Sequence, residues 1–177
     1  MQEIESIYRS YLFLKDSIRI TARVIEMQVP GVQKRTIFDP MQYDKFKKEH
    51  GAALSDIENL VVLALFAAFE RTLRDNLSEK LDVLKTIWPV EFGAGIYKLT
   101  NAEIEMWSIE EIFSLFGFKV GKDNINRLKE ILKYRNWIAH GKNQNKFPPA
   151  RINPKMAYDA IQYFTFSISD IGDIENK

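Results

Sequence analysis

Arg135, Asn136 and His140 fall within one short stretch, Tyr134-Arg-Asn-Trp-Ile-Ala-His-Gly141. Their side chains are of the types that cleave a phosphodiester. A neutral imidazole can take the proton from a ribose 2′-hydroxyl near neutral pH. A guanidinium fork can hold the phosphate and stabilise the charge that builds on it. A carboxamide can orient the ring or the scissile group. The chain has two histidines and no cysteine, which removes thiol nucleophiles, Cys-based zinc sites and disulfides. The other histidine, His50, lies in Lys-Lys-Glu-His-Gly and reads as a solvated loop residue. No His-Asp-Glu cluster stands at ligand spacing, so the chemistry expected here uses neither metal nor cofactor.

Helical spacing decides which of these groups can meet. Residues four apart share a helix face, so Asn136 and His140 can point together. Arg135 is offset from His140 by roughly 140° on ideal geometry. It can join them through its length, through loosening of the helix end at Gly141, or from a second copy of the chain. Cleavage of this kind uses a base and an acid, and one chain offers one good imidazole. A two-fold dimer would supply both. The same spacing also suits a histidine that merely ends a helix, where the dipole favours it.

Arg135-Asn-Trp-Ile-Ala-His140 resembles the R-x(4–6)-H signature of the HEPN superfamily, in the form where a polar residue, often Asn, follows the Arg. Ile-Ala-His-Gly is also a frequent ending in that family. A looser likeness lies in a long first helix and a central apolar helix ending Phe-Ala-Ala-Phe-Glu70-Arg71-Thr-Leu-Arg74-Asp75, where many members carry an acid. The resemblance implies an all-α domain that dimerises with its motifs facing each other. It implies a metal-independent endoribonuclease that leaves 2′,3′-cyclic phosphate ends, with Arg135 and His140 catalytic and Asn136 assisting. Family members serve as toxins, antiphage effectors and CRISPR-associated nucleases. The partners implied are RNA, a second copy of the chain, and an antitoxin or regulatory protein. Some bundles of this kind lack nuclease activity and act as nucleotide- or RNA-binding or protein-interaction modules.

Charge around the motif is lopsided. Between Lys119 and Arg151 nine basic residues face two acidic ones, in a chain whose net charge is +1. Such a window suits either a polyanion-facing surface or a solvated helix face. Within it, Lys142 and Lys146 are placed to contact phosphates. Tyr134 and Trp137 could stack a base, although the spacing of Trp137 suits packing better. Arg74 is a further candidate for the RNA backbone. Glu70 could support the site by orienting Arg135 or His140, or pair with Arg74 one turn on; the i,i+4 spacing favours the pairing.

These groups need a scaffold, and the pattern supplies helices. The 177 residues make one domain, 1–177, read as an all-α bundle of four or five helices. Residues 2 to 28 are amphipathic, with Pro30-Gly31 as the stop. A polar connection follows, with a turn at Asp39-Pro40 and a short helix at Tyr43 to His50. Ser55 and Glu58 have capping-box spacing and open a central helix to about Leu84, apolar on all sides from Val61 to Phe69. Trp88-Pro89 and Gly93-Ala-Gly95 mark a loop. Ser108 caps a short helix ending at Gly117, and Asp123 or Asn124 caps the motif helix, which Gly141 stops. After a Pro-Pro loop, Pro154 opens the last helix, to about Ile171, whose Tyr163, Phe164 and Phe166 read as core or dimer contacts. The start, Met1-Gln-Glu-Ile-Glu-Ser, lacks the apolar core of a signal peptide. The run Leu60 to Phe69 is too short to cross a bilayer. A soluble, cytoplasmic protein without membrane contact is expected.

Overall fold

The computed structural model describes residues 1–39, 43–86, 89–142 and 149–169. Seven α-helices occur among them: α1 (Gln2–Glu26), α2 (Tyr43–Leu81), α3 (Val90–Glu103), α4 (Ile109–Leu115), α5 (Gly117–Val120), α6 (Lys122–Ala139) and α7 (Pro154–Ile168). No strand occurs among the described residues. The all-α expectation therefore holds, with five helices of 14 residues or more and two short ones. Pro40, Trp88, Lys146, Pro148 and Ile171, each part of an expectation above, lie outside the described residues.

The core forms where α2 is crossed by α6 and α7. Leu65, Phe66, Phe69 and Leu73 of α2 are fully buried, with Ile112 and Phe113 of α4, Leu128 and Ile131 of α6, and Ile161 and Phe164 of α7. Phe164 meets Phe69 edge-on at 5.4 Å, the geometry that ring quadrupoles prefer, and packs against Phe113 at a tilt, 5.7 Å between ring centres. Truncating such a ring to Ala costs about 3–5 kcal/mol. The last helix thus divides its aromatics: Phe164 is core, whereas Tyr163 and Phe166 are exposed. The fold of α1 onto α2 is set by Ile4 and Tyr11, and the ring of Tyr8 stacks on Tyr158 of α7 at 4.0 Å.

Three local expectations are corrected. The central helix starts at Tyr43, not Ser55, because the short helix expected at 43–50 continues through Gly51. Phe46, buried at its start, anchors that extra segment, and Ser55 is an interior residue. Gly93-Ala-Gly95 is helical. The N–H groups of Phe92 and Gly93 donate to the Pro89 carbonyl at 3.0 and 3.1 Å, so Pro89 nucleates α3. Finally, α6 is preceded by Gly121 at φ +83°, and the helix already includes Asp123 and Asn124.

Other signals hold. Ser108 Oγ accepts from Glu111 N–H at 3.2 Å while Ser108 N–H donates to Glu111 Oε2 at 2.7 Å, a complete capping box. Asn153 Oδ1 accepts from Met156 N–H at 2.9 Å, with Pro154 at the first helical position. The α2 segment is apolar on every face, as expected, but it is not buried on every face. Val62, Leu65, Phe66 and Phe69 are buried, but Leu60, Ala64 and Ala67, at i, i+4 and i+7, are exposed. By length and composition alone Tyr43–Thr86 could cross a membrane, with an 18-residue window of mean hydropathy 1.7. That same stretch contributes the core residues named above.

Candidate functional site

The end of α6 is locked by its own backbone. His140 N–H donates to Asn136 O, Gly141 N–H to Ile138 O and Lys142 N–H to Trp137 O, at 3.0, 3.0 and 2.9 Å. The last two are the paired bonds of a Schellman motif. They require the residue after His140 to be left-handed, and Gly141 has φ +75°. Lys142 follows at φ +54°. The stop expected at Gly141 is thereby explained, and His140 is fixed at the exposed rim of the helix. Its ring has no side-chain partner among the described residues.

Arg135 is half-buried and braced. Its Nη1 donates to Asn136 Oδ1 at 2.9 Å, and its Nη2 stands 4.0 Å from Glu70 Oε2 on α2. The other oxygen of Glu70 lies 3.4 Å from Arg74 Nη2. Glu70 therefore does both things that its position allowed. It pairs with Arg74 one turn on and it reaches Arg135 across the bundle. The Nε of Arg135 and the indole nitrogen of Trp137 are buried with no hydrogen-bond partner among the described residues. Among the described residues no hydrogen bond joins Arg135 to His140; Asn136 is bonded to the first and lies one helical turn before the second.

Two sequence candidates have structural occupations instead. Arg74 Nη1 donates to Ile104 O at 2.7 Å and Nη2 to Trp107 O at 2.9 Å, so its guanidinium ties α2 to the turn before α4. Tyr134 is 5% exposed, and its hydroxyl donates to the buried Asn59 Oδ1 at 2.7 Å. A base cannot reach that ring. Burial raises the Tyr134 phenol above its ordinary value, with the nearby Arg151 and Lys142 cations acting in the opposite sense.

The basic window is partly neutralised by α2. Lys142 Nζ lies 2.9 Å from Asp56 Oδ1, and Arg151 Nη2 lies 3.0 Å from Glu58 Oε2. Glu58 was legible only as a capping partner of Ser55. It is instead a hub that also accepts from the Tyr11 hydroxyl at 3.1 Å, with Lys15 at 3.8 Å. His50 was misjudged as well. It lies in α2, half-buried, its ring 5.5 Å from that of Phe46. Spacing gave no sign of either, since both depend on which face α1 covers.

What the arrangement can do follows from its parts. An open imidazole and a braced guanidinium share one helix end, with a carboxamide between them in sequence and Lys142, paired with Asp56, two residues beyond. That set can bind a phosphate and move a proton beside it. No family model, curated protein or solved structure matches the chain.

Proposed function

We propose that the chain is a metal-independent endoribonuclease of HEPN type, of the toxin or antiphage-defence kind, acting as a two-fold homodimer. In this reading Arg135 holds the scissile phosphate, and His140 of one copy takes the proton from the ribose 2′-hydroxyl. The 2′-oxygen then bonds to phosphorus as the P–O5′ bond breaks. His140 of the second copy, as the protonated imidazolium, gives its proton to the departing 5′-oxygen. The products are a 2′,3′-cyclic phosphate and a free 5′-hydroxyl. Asn136 aligns Arg135 through the 2.9 Å hydrogen bond. Glu70 supports the same guanidinium from α2.

The observation that carries this reading is that one backbone-locked helix end bears both an uncommitted, rim-exposed imidazole and a braced guanidinium. A second copy is supported by two features. One chain supplies a base without an acid. Next to the α2 face that bears Glu70 runs the exposed line Leu60, Ala64 and Ala67, where small side chains let another helix approach closely. An antitoxin or regulatory protein would fit the same exposed face. A single observation favours the non-catalytic RNA- or nucleotide-binding module instead: Arg135 bonds to Asn136 and not to His140.

The test is incubation of the pure protein with mixed RNA in excess chelator, followed by identification of the fragment ends. Cyclic phosphate ends that vanish with His140→Ala, at unchanged helical content, support the nuclease. RNA retained without product supports the module. Cleavage that persists in His140→Ala overturns the assignment.

A further inference from the structure

A cleft of about 520 Å³ opens between α1, α2 and the start of α7. Four cations from three separate segments line it: Lys15 and Arg19 of α1, Arg151 ahead of α7, and Lys155 in the first turn of α7. Two lining carboxylates, Asp16 and Glu58, stand against them.

Glu58 is the fixed point. Its side chain is 15% exposed and holds Arg151 Nη2 at 3.0 Å and Lys15 Nζ at 3.8 Å. Lys15 Nζ also donates to the Tyr11 hydroxyl at 2.9 Å, and that hydroxyl donates to Glu58 at 3.1 Å. One negative charge thus positions two positive ones and leaves a surplus at the wall. The other two cations stand at the rim in exposed pairs. Arg19 lies 3.7 Å from Asp16, and Lys155 lies 2.6 Å from Asp159 one turn on. Exposed pairs of this kind hold weakly, and a phosphate oxygen can take the place of the carboxylate. Asn153, the N-cap of α7, also lines the cleft, so the positive end of the α7 dipole adds to the same side.

The cleft adjoins the motif. Asp56 and Glu58, two residues apart on α2, hold Lys142 and Arg151 respectively. Lys142 follows His140 by two residues, and Arg151 belongs to the cleft wall. Both cations also act on the Tyr134 phenol, next to Arg135 in the chain. The cleft is therefore within reach of a strand bound at the end of α6. Several accessible cations side by side suit a row of backbone phosphates better than one compact anion, and they make no demand on sequence.

We infer that this cleft binds the phosphate backbone of the RNA strand to one side of the cut, with Arg19, Arg151 and Lys155 as the contacting cations and Lys15 behind them. The identity of the polyanion rests on the nuclease reading.

The test measures the affinity of the full His140→Ala chain for a labelled oligouridylate over a range of salt concentrations, in excess chelator. The slope of log K against log salt reports how many phosphates are neutralised. Arg19→Gln combined with Lys155→Gln should keep helical content, weaken binding and make the slope shallower by about 1.4, two contacts at roughly 0.7 each on a single strand. Lys47→Gln combined with Lys48→Gln is the control. These exposed lysines lie roughly 15 Å from Glu58 along α2, and their removal should leave the slope as it was. The inference is overturned if the cleft pair leaves the slope unaltered, if the control pair alters it as much, or if the chain binds no oligouridylate. Failure of the nuclease reading looks different: wild type would bind the RNA with the same dependence on Arg19 and Lys155, yet release no cyclic phosphate ends.

Discussion

Glu70 of α2 and Arg135 of α6 face each other across the helix pair, carboxylate to guanidinium at 4.0 Å. The carboxylate cannot swing away freely, because its other oxygen is held by Arg74, itself anchored on the carbonyls of Ile104 and Trp107. Arg135 is thus braced from α2 and by its own neighbour Asn136. Glu70→Gln keeps the shape and removes the charge. The pair is partly exposed and long, so stability should fall by less than about 1 kcal/mol. If Arg135 holds the phosphate as proposed, catalysis should suffer more, with kcat down about tenfold and KM little changed, because the guanidinium fork loses its alignment. Steady-state kinetics on a short RNA read this directly, and a wild-type kcat would remove Glu70 from the site.

Gly141 offers a cleaner probe of the helix end. Beyond its chain neighbours, no heavy atom of the described residues lies within 4 Å of a Cβ built there, so Gly141→Ala meets no steric obstacle among them. Its cost is conformational, about 1–2 kcal/mol for a left-handed L-residue at φ +75°. The Schellman bonds should weaken and His140 lose its fixed position. Cleavage is therefore expected to drop by more than the stability loss accounts for, while Gly141→Asn, which tolerates this conformation, should retain most of both. Thermal unfolding and cleavage rate, measured on the same preparations, separate the two effects.

The parts of this molecule that could be read from sequence are those governed by local rules. Ser108 with Glu111, Pro154 and the Gly141 stop all act within one helical turn, and each is where the pattern put it. Ser55 with Glu58 carries an equally good local pattern and is wrong, because Phe46 gains burial by extending the helix upstream. A capping signal loses to tertiary packing in that competition. At the site, the Asn136–His140 face follows from helix periodicity alone. Tyr134 was indistinguishable from a base-stacking residue until its partner was known, since Asn59 is 75 positions away. Arg74 likewise looked like any exposed arginine before the turn carbonyls around Trp107 folded onto it.

Tyr134 makes a pH prediction whose sign is fixed. Burial holds its phenol above the ordinary value near 10, while the unfolded chain ionises near 10. Below that pH both states keep the proton and the stability is complete. As pH rises further the unfolded state loses the proton first, so stability falls until the folded phenol also ionises. Tyr11 and Tyr158, also raised chiefly by burial, add to the same alkaline loss. Tyr134→Phe should lower stability at neutral pH by about 1–3 kcal/mol, because Asn59 Oδ1 is left buried without its donor. It should also flatten the decline above pH 10. RNA affinity should not change. Urea unfolding across pH 7 to 11 tests the first two points, and a loss of RNA binding in a folded variant would restore Tyr134 as a ligand residue.

The exposed line on α2 allows the dimer to be tested apart from the chemistry. Ala64 sits between Leu60 and Ala67, on the solvent side of the helix that carries Glu70. In the isolated chain, Ala64→Asp puts a carboxylate into water and should change stability by no more than about 0.5 kcal/mol. In a dimer closed across this face the same carboxylate would be desolvated with no partner cation, a penalty large enough to dissociate the pair. On the proposed two-copy mechanism the variant should therefore sediment as a monomer, keep its helical content and lose cleavage, because each chain would be left with one imidazole where that mechanism uses two. Mixing it with His140→Ala should restore nothing, since the composite site needs an intact face on both sides. Sedimentation of an active monomer would place base and acid within one chain, and the two-copy mechanism would have to be abandoned.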